Sequence, residues 1–330
     1  MSEYDVLCIG NAIVDIIARC EESFLVENNI IKGAMNLIDA ERATYLYEQM
    51  GPAVETSGGS AGNTAAGLAG LGGKAAYFGK VANDSLGDVF RHDIRAQGVA
   101  FDTAALEGFP PTARSMIFVT PDGERSMNTY LGASIELGPD DVEEEKAKAS
   151  KVTYFEGYLW DPPLAKEAIL KSAAIAHAAG REVAFTLSDP FCVDRFRDEF
   201  LQLMRSGTVD IVFANEHEVK SLYQTASLDT ALAAFREDCK LGIVTRGAEG
   251  SVVVQGSTTV SVDPLKVNEV VDTTGAGDLF AAGFLFGYTR GLDFAHCGKL
   301  GSLAAGLVIQ QVGPRLQISL KDAATQAGLL

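Results

Sequence analysis

Between residues 151 and 214 the chain alternates strand-like apolar runs with stretches of helix length: strands at 152–156, 182–187 and 211–214, helices at 164–179 and 193–206. Parallel neighbours need a crossover of a dozen or more residues, usually a helix, so the alternation predicts a parallel sheet with helices on both faces. Such strands are apolar throughout, and Val6-Leu7-Cys8-Ile9 near the start is a run of this kind. It stops at Gly10-Asn11, the C-terminal end of a central strand, where ligands gather in folds of this class. Residues 241–245 read as one more strand, and 251–254 with 258–262 as an edge hairpin. With 330 residues, 47% of them hydrophobic, the chain can fill one large α/β domain with an insertion, or two ordinary domains.

The segment 112–130 departs from this alternation. Residues 114–120, the turn Pro121-Asp122-Gly123-Glu124 and residues 125–130 predict a β-hairpin. With strand-like stretches near 12–18, at 30–31 and at 35–38, it is expected to form a small β-sheet over the large domain, a lid by position. The expected division is a lid of residues 16–38 and 112–131 on a large, doubly wound, mostly parallel domain of residues 1–15, 39–111 and 132–330. A helix is expected at 40–50, and Glu143-Glu144-Glu145-Lys146 reads as a solvated helix face.

A formal net charge of −17 argues against a nucleic-acid or anionic-membrane surface, since both need clustered Lys and Arg. Any phosphate must therefore be held locally. The five cysteines, scattered and never in a Cys-x-x-Cys pair, fit free thiols, and the four histidines show no metal-ligand spacing. The start Met1-Ser2-Glu3-Tyr4-Asp5 is acidic, and no apolar run approaches the roughly 18 residues of a membrane span, so a soluble, cytoplasmic protein is expected.

Local anion binding has one strong candidate. Val270-Val271-Asp272-Thr273-Thr274-Gly275-Ala276-Gly277-Asp278 joins an expected short strand at 267–271 to a helix reaching about residue 288. A helix N-terminus carries unpaired N–H groups and partial positive charge, and glycines at 275 and 277 let a phosphate approach that backbone. Asp278 is electrostatically favoured in the first turn but repels a phosphate placed there, so it is either a simple partner for the helix dipole or a functional group. A second glycine-rich helix start is Ser57-Gly58-Gly59-Ser60-Ala61-Gly62-Asn63-Thr64; residues 67–74 do not fit a P-loop, because Ala75 follows Lys74. Asn11 and Asp15 interrupt an apolar segment and need hydrogen-bond partners if buried. Asn215-Glu216-His217-Glu218 and Thr245-Arg246-Gly247 each follow a strand, where Mg²⁺ and phosphate are accommodated, although acid at a helix start also serves structure.

Gly58-Gly59-Ser60-Ala61-Gly62-Asn63 and Asp272-Thr273-Thr274-Gly275-Ala276-Gly277-Asp278, with Asn215 and Glu218 between them, resemble the signatures of the ribokinase-like (PfkB) carbohydrate and nucleoside kinases. The resemblance covers essentially the whole chain and implies ATP-dependent phosphoryl transfer. It makes Asp278 the base, and the amides of Gly275, Ala276 and Gly277 the anion hole. Asn11, Asp15, Gly59, Ser60 and Asn63 would bind sugar hydroxyls. Asn215, Thr245, Arg246 and Gly247 would border ATP, Glu218 would meet Mg²⁺ through water, and Arg125 would approach the transferred phosphoryl when the lid closes. Asp272 and Thr274 match a monovalent-cation site, implying K⁺. Within the family Gly10-Asn11-Ala12-Ile13-Val14-Asp15, the hairpin and residues 185–191 resemble the adenosine kinases; Ile13, Leu37, Met127 and Tyr158 match positions near their base. The acceptor implied is adenosine at its 5′-hydroxyl. Ribose, fructose or 2-keto-3-deoxygluconate are the alternatives within the family, and a catalytically idle ligand-binding protein, monomer or homodimer like the rest, the remote one.

Overall fold

The computed structural model describes residues 3–330. Strand β1 (Tyr4–Ile9) opens a large sheet; β2 (Ile13–Arg19), β3 (Met35–Leu37) and β4 (Ala53–Ser57) enter a small one; β5 (Ala75–Phe78) returns to the large sheet. The hairpin β6 (Ala113–Val119) and β7 (Arg125–Tyr130) completes the small sheet. Strands β8 (Ser150–Glu156), β9 (Glu182–Thr186), β10 (Ile211–Asn215), β11 (Leu241–Thr245), β12 (Ser251–Gln255) and β13 (Thr258–Val262) complete the large one. The large sheet runs β13-β12-β11-β10-β9-β8-β1-β5, antiparallel only where the β12–β13 hairpin joins, and the small one runs β3-β7-β6-β2-β4. The expected doubly wound α/β architecture with a small β lid is thus the one observed. Among the described residues no helix is long and apolar enough to cross a membrane.

Neighbouring β1 and β8 end at Ile9 and Glu156, so the carboxyl edge of the sheet opens there. Two helices, Ser60–Gly70 and Ala276–Tyr288, start near it, and small residues let them touch. A Cβ on Gly67 would stand 2.6 Å from Leu279 Cδ1, and one on Gly283 would stand 2.4 Å from Leu300 O in the next helix, Phe294–Val308. From Leu279 to Gly287 the Ala276–Tyr288 helix is buried without interruption, as an all-round apolar helix must be. This packing fixes Asp278 against the start of the Ser60–Gly70 helix.

Three expectations are corrected. Residues 53–57, assigned to the large unit, form the strand antiparallel to β2, so the chain leaves the small sheet at Ser57 and enters the large one through Gly58-Gly59. Residues 30–31 are not a strand: a short helix, Glu22–Glu27, precedes them, and the Ile30 N–H turns back to Leu25 O at 2.8 Å. Residues 267–271 are not a strand either, because the sheet already ends at β13. The Val271 N–H instead donates to Ile309 O at 2.7 Å, using a carbonyl left open past the end of the Phe294–Val308 helix.

Candidate active site

At the N-terminus of the Ala276–Tyr288 helix Gly275 is left-handed, with φ 77° and ψ 1°, and a Cβ there would also lie 2.7 Å from Pro314 Cβ. At Gly277 a Cβ would meet nothing within 4 Å, so this face of the turn is open. The Ala276 N–H donates to Thr273 O at 3.2 Å. Asp278 is gripped at both oxygens: Ser60 Oγ donates to Oδ1 at 2.6 Å and Asn63 Nδ2 to Oδ2 at 2.8 Å. Burial raises its pKa, opposed by these two donors and by the charge of Arg315. Ser60 and Asn63, expected on the acceptor, therefore hold Asp278, and the two glycine-rich helix starts meet at one carboxylate.

Asp15, on β2, faces the same space. It is 8% exposed, and among the described residues its carboxylate accepts no hydrogen bond, so its oxygens are open to whatever fills the cleft. Burial pushes it up to about 6, against the charges of Arg125 and Arg315. A Cβ on Gly58 would lie 2.5 Å from Asp15 Oδ2, and one on Gly59, at φ 81°, 2.1 Å from Asn11 O, so both glycines are required by close approach.

Asn11 differs from its expected role. It is 2% exposed, its Nδ2 donates to Glu156 Oε1 at 2.8 Å, and its Oδ1 accepts from Ser134 Oγ at 2.9 Å. Glu156, which sequence reasoning missed, also accepts the Asn11 N–H at 2.9 Å and the Ala61 N–H at 2.7 Å. It sits at the end of β8, pushed up to about 7 by burial against those donors, and joins β1 to the Ser60–Gly70 helix. A lone acid closing an apolar strand was the available signal.

Asn11, Asp15, Gly59, Ser60, Asn63, Ile13, Leu37, Met127 and Tyr158 all line one cleft with the Gly275–Asp278 turn. The four apolar members face it from both sheets: Ile13 from β2, Leu37 from β3, Met127 from β7, and Tyr158 beyond β8, tethered by a 3.3 Å bond from its hydroxyl to Ser188 O. Leu37 is 60% exposed, an apolar side chain with nothing covering it. Asn215, Glu218, Thr245, Arg246 and Gly247 line the other end, where β10 and β11 pair Asn215 with Thr245. The cleft holds about 1980 Å³; single small-molecule sites run to about 1,000 Å³, so there is room for two ligands end to end.

Glu218 is 4% exposed and closes a capping box with Asn215, which accepts the Glu218 N–H at 2.9 Å and donates its own N–H at 2.8 Å. Burial pushes it up to about 7. Among the described residues no three acids, histidines or cysteines cluster to hold a metal. Both Glu218 oxygens accept from Asn215, so this carboxylate could meet a nucleotide-bound metal only through water.

Arg125 and Asp272 are brought together, which the sequence did not suggest. Arg125, from the start of β7, forms a buried ion pair with Asp272; Asp272 also accepts the Thr274 N–H at 2.9 Å and the Gly313 N–H at 2.8 Å. Both oxygens are thus engaged, and the set does not fit the monovalent cation expected at Asp272 and Thr274. A lid guanidinium supplies positive charge there instead, while Arg125 Nε and Nη2 stay buried without partners.

The chain matches, over residues 4–321, the family described as pfkB family carbohydrate kinase. It is 29% identical to an adenosine kinase of Saccharomyces cerevisiae over 93% of this chain and 95% of that protein. Among solved structures, an adenosine kinase from Sinorhizobium meliloti superposes with a TM-score of 0.93 at 69% identity, covering 99% of this chain and 100% of its own. A probable sugar kinase from Rhizobium etli superposes with a TM-score of 0.94 at 65% identity, covering all of both chains.

Proposed function

The chain belongs to the pfkB family of carbohydrate kinases and is a phosphotransferase with an alcohol acceptor; from this premise we propose that it transfers the γ-phosphoryl of ATP to the 5′-hydroxyl of adenosine, giving AMP. The observation that carries the reading is the doubly held Asp278 carboxylate, set beside an open helix N-terminus on the floor of a cleft with an apolar lid.

In this reading Asp15, whose carboxylate faces the cleft, accepts hydrogen bonds from the ribose hydroxyls. The acceptor 5′-hydroxyl then lies against Asp278, which takes its proton late, as the phosphoryl leaves ADP. The amides of Gly275, Ala276 and Gly277 and the helix dipole stabilise charge on the phosphoryl in flight, with Ala276 exchanging its bond to Thr273 O for the ligand. Thr245, Arg246 and Gly247 border the remaining phosphates beside Asn215. Glu218 would hold Mg²⁺ through water, and the ion would supply positive charge to the phosphates. Arg125, expected on the transferred phosphoryl, is instead held on Asp272 with its other nitrogens buried, so it offsets the charge of Asp272 near the anion hole, while movement of the small sheet over the acceptor excludes water.

The choice of a nucleoside over a free sugar rests on Ile13, Leu37, Met127 and Tyr158. A purine offers faces for an aromatic ring, Leu and Met to cover, whereas a free sugar leaves them wet. Covering a leucine stabilises by roughly 1.5–3 kcal/mol. Leu37→Asp is accordingly expected to raise KM for adenosine about tenfold or more, with KM for ATP unchanged; equal losses with both substrates would argue against a base on this wall.

The Arg125–Asp272 pair leads to a second expectation. With Asp272 already neutralised, rates in K⁺ and in tetramethylammonium at matched ionic strength should agree within about twofold. Strong activation by K⁺ would mean that Arg125 leaves Asp272 during turnover.

A further inference from the structure

Arg315 lies in the loop after the Phe294–Val308 helix and has no role in the chemistry derived above. Its guanidinium points inward: Nη2 donates to Ser57 Oγ at 3.0 Å, Nη1 to Gly62 O at 3.2 Å, and Nε is shielded from solvent with no partner among the described residues. Ser57 ends β4 of the small sheet, and Gly62 lies in the first turn of the Ser60–Gly70 helix. Both contacts therefore span the Gly58-Gly59 joint, one on each side. Asp93 of the Ser85–Ala96 helix secures the same joint from outside, accepting the Ser57 N–H at 2.8 Å and Thr56 Oγ1 at 3.2 Å. The side chains just past the joint, Ser60 and Asn63, are the two that hold Asp278.

We propose that Arg315 is a positioning residue for phosphoryl transfer: it pins the joint that sets Ser60 and Asn63 on Asp278, and supplies the buried positive charge shared by Asp15 and Asp278. The proposal rests on the kinase reading. The charges that act on Arg315 through space are Asp93 of its helix, Asp15 of β2, Asp278, and Tyr77 of β5, and Asp278 also acts on Glu156. Arg315 is the cation whose charge opposes the upward push of burial on Asp278, and with Arg125 it does the same for Asp15. Removing that charge favours the protonated acids, which are idle as base and hydroxyl acceptor.

The test is the pH dependence of kcat/KM for adenosine in the parent, Arg315→Gln, Arg315→Lys and Asp93→Asn. Loss of activity as pH falls should begin at least about 0.5 unit higher in Arg315→Gln, with kcat lowered about tenfold. Arg315→Lys, which keeps the charge, should hold the acid limb near that of the parent. Asp93→Asn removes a competing anion and should move the limb the other way, to lower pH, and it decides the matter if Arg315→Gln does not fold. Acid limbs that coincide in the parent, Arg315→Gln and Asp93→Asn, or a Lys variant shifted as far as the Gln variant, would overturn the proposal. A parent that phosphorylates no adenosine would instead overturn the kinase reading on which it rests.

Discussion

Asp278→Asn is expected to lower kcat by at least about 10², the usual scale for removing a positioned general base. The substitution is nearly isosteric, and the surroundings can absorb it. Ser60 Oγ can still donate to the new carbonyl oxygen. Asn63 now points its amide nitrogen at Oδ2 while its own Oδ1 is buried without a partner. Turning the Asn63 amide over would offer that oxygen to the new NH₂ group, so the packing survives and a buried charge is lost. The melting temperature and the affinity for ATP should stay close to those of the parent, which isolates the chemical step. Single-turnover ADP formation in both proteins checks it; a variant within a few-fold of the parent would remove Asp278 from the role of base.

Glu156→Gln should produce the second large effect, on acceptor binding. The Glu156 carboxylate accepts three N–H groups, two from Asn11 at one oxygen and one from Ala61 at the other. Glutamine has one acceptor oxygen and an NH₂ group, so either orientation sets donor against donor. A buried donor left unpaired costs about 1–3 kcal/mol. The loss falls on the backbone at Asn11, whose carbonyl touches Gly59, and on the first turn that carries Ser60. KM for adenosine should rise about 10- to 100-fold, at about 1.4 kcal/mol per factor of ten, and thermal stability should fall with it. Lowered stability with an unchanged KM would make Glu156 a residue of the fold alone.

The strands of the large sheet and the β6–β7 hairpin were legible because period and turn chemistry act locally: continuous apolar runs between helical stretches, and Pro-Asp-Gly at the tip. The glycine-rich turns were legible for the same reason, since their conformations exclude other residues. β4 was not. Its residues 53–55 are exposed, and only pairing with β2, across more than thirty residues of sequence, makes it a strand. Long-range polar contacts were hidden in the same way. Arg125 reaches Asp272 across 147 residues, and Glu156 reaches Asn11 across 145. Spacing in the sequence carries no trace of such pairs, so Asn11 read as a ligand and Asp272 as a cation site until their partners were in view. Ser60 and Asn63 read as acceptor ligands; that they also hold Asp278 depends on the small-residue contact between packed helices, which spacing in the sequence does not carry.

Competition between acceptors separates a nucleoside kinase from a sugar kinase. The enzyme, with limiting ATP and Mg²⁺, is given equal concentrations of adenosine, ribose and fructose, and the phosphorylated products are identified by ³¹P NMR. Phosphate on the adenosine 5′-oxygen is expected as the dominant product, at least about 10-fold over either sugar, the discrimination expected from one covered apolar side chain. Predominant ribose or fructose phosphate would contradict it.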